Sequence, residues 1–460
     1  MKLAAGSVNV VGAGLSGALL ALLLAKRGFQ VTVFERRSDP RLTPDDSGRS
    51  INLALAARGL RALERAGLAE RVQPLLMPMR GRAVHGLDGT TTLLAYGQTP
   101  REVIYSVERD ALNTLLIEAA AAEPNVSFRF EHACLGACSA AGALLLRDRQ
   151  AAYDHEVALQ PTIATDGAGS ALRMSLAAAG HLTAREVLLD HDYKELTIPA
   201  RSGQHLLDPH ALHIWPRGDF MLIALPNPDG TFTATLFLPK AGARSFAALT
   251  TSAQVAELFA AEFPDAKALM PQLLDEFAAH PQGIMGTVYC DRWHSGGDVL
   301  LLGDAAHAIV PFHGQGMNCA FEDCSAVDQL LDDSRSWCEL FERFEARRKP
   351  DAAAIAAMAL ENYVEMRSSV LDPAFVRQRQ LGHALERAFP DRFIPRYSMV
   401  MFHPEISYAA ALARGNIQRE ILQTLDAGGH DVHGSTARAL VEAQLPALGT
   451  SALPGLSAAN

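Results

Sequence analysis

The sequence is poor in cysteine, with six in 460 residues, and no two of them form a CxxC pair. Structural zinc sites and disulfide frameworks need cysteines at close, regular spacing. Both are therefore disfavoured, and a reducing cytoplasm is the expected location. The nearest approach to a ligand cluster is Cys134 and Cys138 with His132. On this spacing we expect lone buried thiols rather than a metal site.

Positive charge and long uninterrupted apolar runs are also scarce. The 41 lysines and arginines face 51 acidic residues, and the formal net charge of −10 disfavours nucleic acid or a polybasic membrane-surface role. Residues 8–25 are apolar enough to imitate a membrane span or signal peptide, but three glycines interrupt them and a strand-like run follows at residue 30. We interpret the segment as a buried strand feeding a buried helix. The tail, residues 445–460, has no apolar run long enough for a bilayer, so no membrane anchor is expected.

A glycine motif stands between the first predicted strand (8–11) and the first predicted helix (15–27). Gly12 permits a tight turn, Gly14 lets the backbone approach a pyrophosphate, and Gly17 allows close helix–strand packing. The helix N-terminus adds free N–H groups for phosphates. Glu35 ends the next strand (30–35), where it can accept hydrogen bonds from a ribose diol. The arrangement predicts dinucleotide binding and disfavours a 2′-phosphate, without separating NAD from FAD.

The remaining pattern predicts an α/β fold with three regions. Alternating strands and helices at the N-terminus are typical of a Rossmann-like domain. Between residues 212 and 239 the hydrophobic period changes to two, with turn signals at 217–219 and 227–230, which predicts an antiparallel meander. Helix formers fill 252–279, with breaks at Pro264 and Pro271, and dominate beyond Pro350. We predict a discontinuous nucleotide-binding domain (1–180 and 285–350), a β-sheet substrate domain (181–284) and a helical C-terminal region (351–460) that closes the substrate pocket.

Two later motifs narrow the cofactor. The strings TDGAGSALR (165–173) and LLGDAAHAIVP (301–311) each follow an apolar strand-like run. Together with the glycine motif they resemble the fingerprints of the group A flavoprotein monooxygenases, which bind FAD. The resemblance implies that Asp304 hydrogen-bonds the ribityl chain and that Arg109 lies near the ribityl and phosphate groups. For Asp166 or Asp304 taken alone, capping of a helix N-terminus is the simpler interpretation.

The string PFHGQGMN (311–318) precedes a predicted helix at 319–331. Free N–H groups at a helix start favour negative charge, and reduced flavin carries such charge at its N1/O2 edge. We therefore expect the isoalloxazine ring beside Met317 and Asn318. His307 and His313 are candidate acid–base groups, but a structural histidine in a turn is an equally good interpretation, so their roles stay open.

Longer strings resemble one group within that family, the kynurenine 3-monooxygenases, over nearly the whole chain. The strings are GRSINLA (48–54), MRGR (79–82), DYKEL (192–196), LHIWPRG (212–218), PFHGQGMN (311–318), MALENYVEM (358–366) and RFIPRYSMV (392–400). Eukaryotic members carry a C-terminal membrane segment, so this chain resembles the soluble bacterial kind. The resemblance implies 3-hydroxylation of L-kynurenine to 3-hydroxy-L-kynurenine with NADPH and O2, through a C4a-hydroperoxyflavin on tightly, non-covalently bound FAD. It assigns no certain catalytic residue and no metal.

The same resemblance assigns the binding residues. It places the substrate's α-carboxylate on Arg82 and Tyr96, and puts Asn362 and Tyr397 around the amino-acid end. The apolar wall around the aniline ring comprises Ile104, Leu212, Met221, Ile223, Leu225, Phe237, Pro311, Phe312 and Met366. The cofactor-binding positions are Gly12, Ala13, Gly14, Gly17, Glu35, Arg36, Arg37, Ala54, Arg109, Asp166, Asp304, Gly316, Met317 and Asn318.

Residue periodicity supports these positions independently at two places. Asn362 falls on the helical face formed by Ile355, Met358 and Met366, and a buried amide without partners costs about 1–3 kcal/mol. Alternate residues of 221–225 share one face of a strand. A helix-interface asparagine and ordinary core packing would produce the same patterns.

Two other functions stay open at this point. One is a hydroxylase of another aromatic acid, such as a hydroxybenzoate or anthranilate type. The other is a non-catalytic dinucleotide-binding regulator, which would leave the Asp166 and Asp304 motifs without purpose. A flavin halogenase is disfavoured because no WxWxI string occurs. The sequence does not distinguish a monomer from a homodimer.

Overall fold

A computed structural model describes residues 3–42, 52–138, 141–368 and 372–449 of the chain. The strands are β1 (Ser7–Val11), β2 (Gln30–Phe34), β3 (Asn52–Leu55), β4 (Met77–Met79), β5 (Gly81–His85), β6 (Thr91–Ala95), β7 (Ile104–Glu108), β8 (Val126–Arg129), β9 (His132–Cys138), β10 (Ala143–Asp148), β11 (Tyr153–Ala158), β12 (Thr162–Ala164), β13 (Ala184–Ile198), β14 (Ala211–Pro216), β15 (Met221–Pro226), β16 (Phe232–Pro239), β17 (Gly283–Cys290), β18 (His294–Ser295) and β19 (Val299–Leu301).

The helices are α1 (Leu15–Lys26), α2 (Ala57–Arg65), α3 (Ala69–Val72), α4 (Arg109–Ala121), α5 (Ala171–Ala178), α6 (Ser252–Glu262), α7 (Pro264–Ala268), α8 (Leu273–Ala279), α9 (Asp304–His307), α10 (Gly316–Leu330), α11 (Trp337–Arg367), α12 (Pro373–Ala388), α13 (Arg396–Phe402), α14 (Tyr408–Gly428) and α15 (Ser435–Gln444). Residues 48–51 of the string 48–54, and residues 450–460 of the tail, lie outside the described ranges.

The first layer is a six-stranded sheet with the order β18-β19-β12-β1-β2-β8. Its pairings are parallel except for β18 with β19. Helix α1 is buried along almost its whole length because the sheet, α4 and α10 pack around it. That burial accounts for the apolar run at residues 8–25 and confirms the strand–helix interpretation. Within the described ranges, no helix combines the length and apolar character needed to cross a membrane.

The second layer is a seven-stranded sheet with the order β17-β13-β16-β15-β14-β5-β6. It contains the predicted antiparallel meander as β14, β15 and β16. Alternate residues of these strands serve two cores, because successive side chains point to opposite faces. One face packs on α6–α8 through Trp215 and Leu222, and the other face, with Leu212 and Phe237, borders a cavity.

The sheet does not follow the predicted domain boundaries. Strands β5 and β6 come from residues that we assigned to the nucleotide domain, and β5 pairs in parallel with β14 about 130 residues later. Strand β17 crosses the boundary at 284/285. Pairing over such a separation leaves no local signal, which is why the pattern missed it. In other respects the division into three domains stays a prediction.

The C-terminal helices differ from the prediction at Pro350. Helix α11 runs through this proline without ending, so the boundary drawn at 350/351 falls inside a 31-residue helix. An interior proline removes one backbone hydrogen bond, but α10 and α14 pack against this part of α11 and hold it. The α/β fold with a mainly antiparallel second sheet and a helical C-terminal region is confirmed.

The cysteines are free thiols, as expected. One detail was wrong, since Cys138 is exposed instead of buried and Cys134 is only half-buried. Both lie on β9, one of the two edge strands of the small sheet β11-β10-β9, so β9 has a strand neighbour on one side only. A second small sheet has the order β3-β7-β4, in which β4 contacts β14 and β3 contacts α10.

Candidate active site

The glycine motif forms a tight cradle at the start of α1. Gly12 has φ +101°, and a Cβ there would come within 2.5 Å of the carbonyl oxygen of Thr165. A Cβ on Gly17 would lie 1.9 Å from the carbonyl oxygen of Gly12, so neither position tolerates a side chain. A Cβ on Gly14 would meet nothing within 4 Å. The space before the helix N-terminus is therefore open, which fits a pyrophosphate approaching the backbone.

Glu35 orders this cradle from behind. Its carboxylate accepts the backbone N–H of Ala13 at 2.7 Å and, through its other oxygen, the backbone N–H of Arg37 at 3.0 Å. Ala13, Glu35 and Arg37 line an outer cleft of about 1270 Å³ that opens beside the glycine turn. Arg36 is exposed, and it is the backbone carbonyl of Arg36 that accepts from Arg149.

A main cavity of about 480 Å³ continues inward from the turn. Gly14, Ala54, Arg109, Asp304, Gly316 and Met317 line it among the residues predicted to bind FAD. Glu195 and Thr233 line both the outer cleft and the main cavity, so the two spaces adjoin. The predicted cofactor residues are thus divided between two adjoining spaces, as the two halves of a long dinucleotide would require.

The two aspartates of the later motifs have different surroundings. Asp304 follows Gly303, which has φ +61°, and Asp304 lines the main cavity. Asp166 turns to α5 instead, where one oxygen accepts the N–H groups of Ala171 at 2.8 Å and Leu172 at 3.4 Å. Helix capping, the simpler interpretation, therefore applies to Asp166. Its other oxygen is buried without a hydrogen-bond partner in the described ranges, and burial raises the pKa of this carboxyl.

Asn318 was expected beside the flavin, but its side chain is occupied by backbone groups. The amide oxygen accepts from Ala56 N–H at 2.9 Å and Gly59 N–H at 3.2 Å, and the nitrogen donates to the carbonyls of Ala54 and Gly314, both at 2.8 Å. Asn318 thus clamps the end of β3 to the start of α10. Helix α10 begins at Gly316, three residues earlier than predicted, which puts Met317 at the cavity and Asn318 behind it.

Three of the four predicted amino-acid ligands, Arg82, Tyr96 and Tyr397, line the polar end of the main cavity, and Asn362 lies directly behind them. Arg82, on β5, donates to the side-chain oxygen of Asn362 at 3.4 Å. Its guanidinium carbon lies 5.1 Å from the ring centroid of Tyr397 and 5.9 Å from that of Tyr96. The two tyrosine rings stack at 5.4 Å. Residues from β5, the segment after β6, α11 and α13 therefore converge on one spot.

Burial and one further acidic residue, Glu365, determine the ionisation states of the side chains at the polar end of the cavity. Arg82 donates to Glu365 at 2.8 Å. Burial alone would lower the pKa of Arg82, but Tyr397 and Glu365 raise it, so the guanidinium is a fixed cation. Burial also raises the pKa of Tyr96 and of Tyr397, so both phenols keep their protons and can donate.

Glu365 and His313 are site residues that the sequence argument missed or left open. Glu365 lies three residues after Asn362 on α11, a spacing that puts both on one helical face and could have identified it. His313 lines the cavity and stacks on Tyr397 at 5.5 Å. Burial lowers the pKa of His313 to about 3, so the imidazole is neutral, and its Nδ1 has no partner in the described part of the chain.

An apolar wall separates the polar end from the cofactor residues. Of the predicted wall residues, Ile104, Leu212, Ile223, Leu225, Phe237, Pro311, Phe312 and Met366 line the cavity. Met221 is fully buried in the same hydrophobic cluster, one layer behind. Asn362 also lies in the second layer, where its nitrogen donates to the carbonyl of Phe312 at 2.6 Å. The buried amide thus finds the backbone partner that its position requires.

Comparisons with known proteins agree with this geometry. Residues 6–359 match the family described as FAD binding domain. The chain is 49% identical over 446 residues to a kynurenine 3-monooxygenase of Xanthomonas axonopodis pv. citri, covering 96% of this chain and 98% of the relative. It is 47% identical over 450 residues to one of Stenotrophomonas maltophilia, covering 97% and 98%.

Solved structures show the fold alone at their lower identity. The tetrameric form of 2-methyl-3-hydroxypyridine-5-carboxylic acid oxygenase superposes with a TM-score of 0.62 at 21% identity, covering 81% of this chain and 95% of that chain. The tetracycline destructase Tet(55) gives 0.62 at 16%, covering 84% and 96%. The residues around the glycine turn, Arg109 and Asp304 fit FAD, and the cavity beside them fits a small aromatic molecule. The chain therefore belongs to the kynurenine 3-monooxygenase family of FAD-dependent aromatic monooxygenases.

Proposed function

We propose that this enzyme converts L-kynurenine to 3-hydroxy-L-kynurenine, with NADPH and O2 as co-substrates. The observation that carries the proposal is the composition of one cavity. Its inner end holds Arg82, Tyr96 and Tyr397, its wall is apolar, and its other end meets Asp304 and Met317. Kynurenine has matching parts, namely an α-amino acid group at one end and an aniline ring at the other.

Arg82 is the proposed partner of the α-carboxylate. A guanidinium fork matches two carboxylate oxygens, and such a pair is stronger where water is excluded. The protonated phenols of Tyr96 and Tyr397 flank the guanidinium and can donate to the same carboxylate. Glu365 pairs with Arg82 at 2.8 Å, and we propose that it accepts from the substrate's α-ammonium group. One cation and one anion side by side suit a zwitterionic amino acid.

The apolar wall orients the ring and keeps water away. In this wall the ring of Phe312 stacks on Tyr363 at 3.9 Å and meets Phe237 edge-on at 5.0 Å. Rings held in this way have little freedom to move, so the aniline ring would be held in one place. The cavity of about 480 Å³, which the substrate would share with the flavin end of FAD, is within the range of small-molecule sites, about 300–1,000 Å³.

Bound FAD supplies the redox chemistry, taking electrons from NADPH and activating O2 for transfer of one oxygen atom. Met317 and the start of α10 would hold the flavin end, because the N–H groups of a helix start favour negative charge. The amino group of aniline activates its own ortho position, so the ring needs no strong base from the chain. The neutral His313 suits a hydrogen-bonding role better than a proton-storing one.

An anaerobic reduction experiment tests the proposal. NADPH is mixed with the holoenzyme with and without L-kynurenine, and flavin bleaching is followed at 450 nm. We expect faster reduction with L-kynurenine and, in air, a product sixteen mass units heavier, as one added oxygen atom requires. The same assay with hydroxybenzoate and anthranilate tests the nearest alternative. Faster flavin reduction with either acid than with L-kynurenine would make that acid the substrate. If no compound is turned over, a non-catalytic dinucleotide-binding regulator would be favoured.

A cytoplasmic location, and a monomer or homodimer state, remain proposals from the sequence. Gel filtration with light scattering would distinguish a monomer from a homodimer.

A further inference from the structure

A buried carboxylate lies behind the turn that carries Asp304. Asp323, on α10, is fully buried. One of its oxygens accepts hydrogen bonds from the backbone N–H of Gly303 at 3.2 Å and from Nε2 of His307 at 2.7 Å. Its other oxygen accepts a hydrogen bond from Nε of Arg348 at 2.7 Å. Because a carboxylate only accepts, Nε2 of His307 carries a proton, and Asp323 ties both ends of the short helix α9 to α10.

The turn held by these bonds has a demanding backbone. Gly303 has φ +61°, and a Cβ there would come within 3.0 Å of the Cβ of Ala320. The next residue, Asp304, lines the main cavity where FAD belongs, whereas Asp323 and His307 do not line it. Burial would raise the pKa of Asp323, but His307 and Arg348 lower it, so the carboxylate is ionised and its hydrogen bonds are charge-assisted.

We propose that Asp323 is the positioning residue of the cofactor site, which holds the Gly303–His307 turn so that Asp304 meets the ribityl chain of FAD. The proposal rests on FAD binding and not on the identity of the substrate. Its failure would therefore leave the kynurenine assignment standing. It also gives His307 a role as the donor at the far end of the turn rather than an acid–base role.

The same atoms could be read as a metal site, because His307, Cys319 and Asp323 have ligand atoms within 4.8 Å of one another. One observation opposes a cation. The guanidinium of Arg348 lies 3.5 Å from the Cys319 sulfur and 2.7 Å from Asp323, so a fixed positive charge occupies the cluster.

A pair of substitutions on one helix tests the proposal. Asp323→Asn removes the charge behind the turn. Asp328→Asn is the matched control, since Asp328 is also buried on α10 and pairs with Arg27 and Arg65, but away from the turn. The FAD dissociation constant of each apoprotein is measured by quenching of flavin fluorescence, and its stability by urea unfolding.

We expect Asp323→Asn to weaken FAD binding about tenfold or more, the size suited to one charge-assisted hydrogen bond, while Asp328→Asn changes it less than about threefold. The control should lose stability without losing FAD. Equal effects of the two substitutions, or unchanged affinity in Asp323→Asn, would overturn the proposal. A stoichiometric metal found by elemental analysis of the holoenzyme would also overturn it.

A milder variant covers the case in which Asp323→Asn does not fold. His307→Asn removes the 2.7 Å bond but leaves Asp323 paired with Gly303 and Arg348. We expect weaker FAD binding than in the Asp328→Asn control and an altered visible circular dichroism of the bound flavin. A folded His307→Asn protein with the affinity and spectrum of the control would refute the positioning role.

Discussion

Replacing Arg82 by alanine is the most direct test of how the enzyme recognises an amino acid. The side chain is buried, and nothing else on β5 could take its place at the polar end of the cavity. Loss of a charge-assisted bond to the carboxylate should cost about 1.5–3 kcal/mol. At 1.36 kcal/mol per factor of ten, KM for L-kynurenine should rise roughly 10- to 150-fold.

The folded state should survive this change. Glu365 loses its partner at 2.8 Å, but about a quarter of its side chain is exposed and water can replace the guanidinium. We therefore expect a yellow, folded protein with its melting temperature lowered by a few degrees. Arg80→Ala is the matched control, because Arg80 is exposed and only two residues away, and its KM should match the wild type.

A decarboxylated kynurenine separates recognition from general damage. The wild-type enzyme should bind this analogue more weakly than kynurenine, by about the same factor as Arg82→Ala raises KM for L-kynurenine. The Arg82→Ala variant should bind kynurenine and the analogue almost equally. Steady-state KM and a spectral titration of the flavin measure both quantities. An Arg82→Ala enzyme that still prefers kynurenine by the wild-type factor would remove Arg82 from the site.

Three further substitutions test other parts of the account. Tyr397→Phe removes a protonated phenol and should raise KM about 2- to 10-fold with kcat nearly unchanged, and a large loss of kcat alone would contradict a binding role. Gly17→Ala should yield protein with little bound FAD because its Cβ would lie 1.9 Å from the Gly12 carbonyl, whereas Gly6→Ala, with open space around it, should keep the wild-type 450/280 nm absorbance ratio. Burial lowers the pKa of His213 from 6.5 to about 4, so the unfolded chain binds an extra proton between these values and stability falls as the pH drops through them. Between pH 7 and pH 5 the wild-type free energy of unfolding, measured with urea, should fall. His213→Gln should make this fall smaller by at most about 2 kcal/mol, whereas substitution of the exposed His181 by glutamine should leave it unchanged.

Local pattern was enough to predict the elements around the glycine turn and the three-strand meander. The glycine turn, Glu35 at the end of its strand and the three-strand meander each depend on neighbours within a few residues, through backbone sterics and alternating burial. Periodicity also predicted the buried face of α11 that carries Asn362, since a helix repeats every 3.6 residues whatever packs against it.

Other features were decided only when distant segments met. The pairing of β5 with β14 brings Arg82 into the substrate sheet, and no short-range pattern records a partner about 130 residues away. Packing of α2 against α10 pairs the side-chain amide of Asn318 with backbone groups, which its sequence position did not indicate, and its place beside the flavin stays a prediction. Glu365, His313 and Asp323 have their roles for the same reason. The role of a charged or polar side chain depends on the groups that are buried beside it, and only the folded chain brings those groups together.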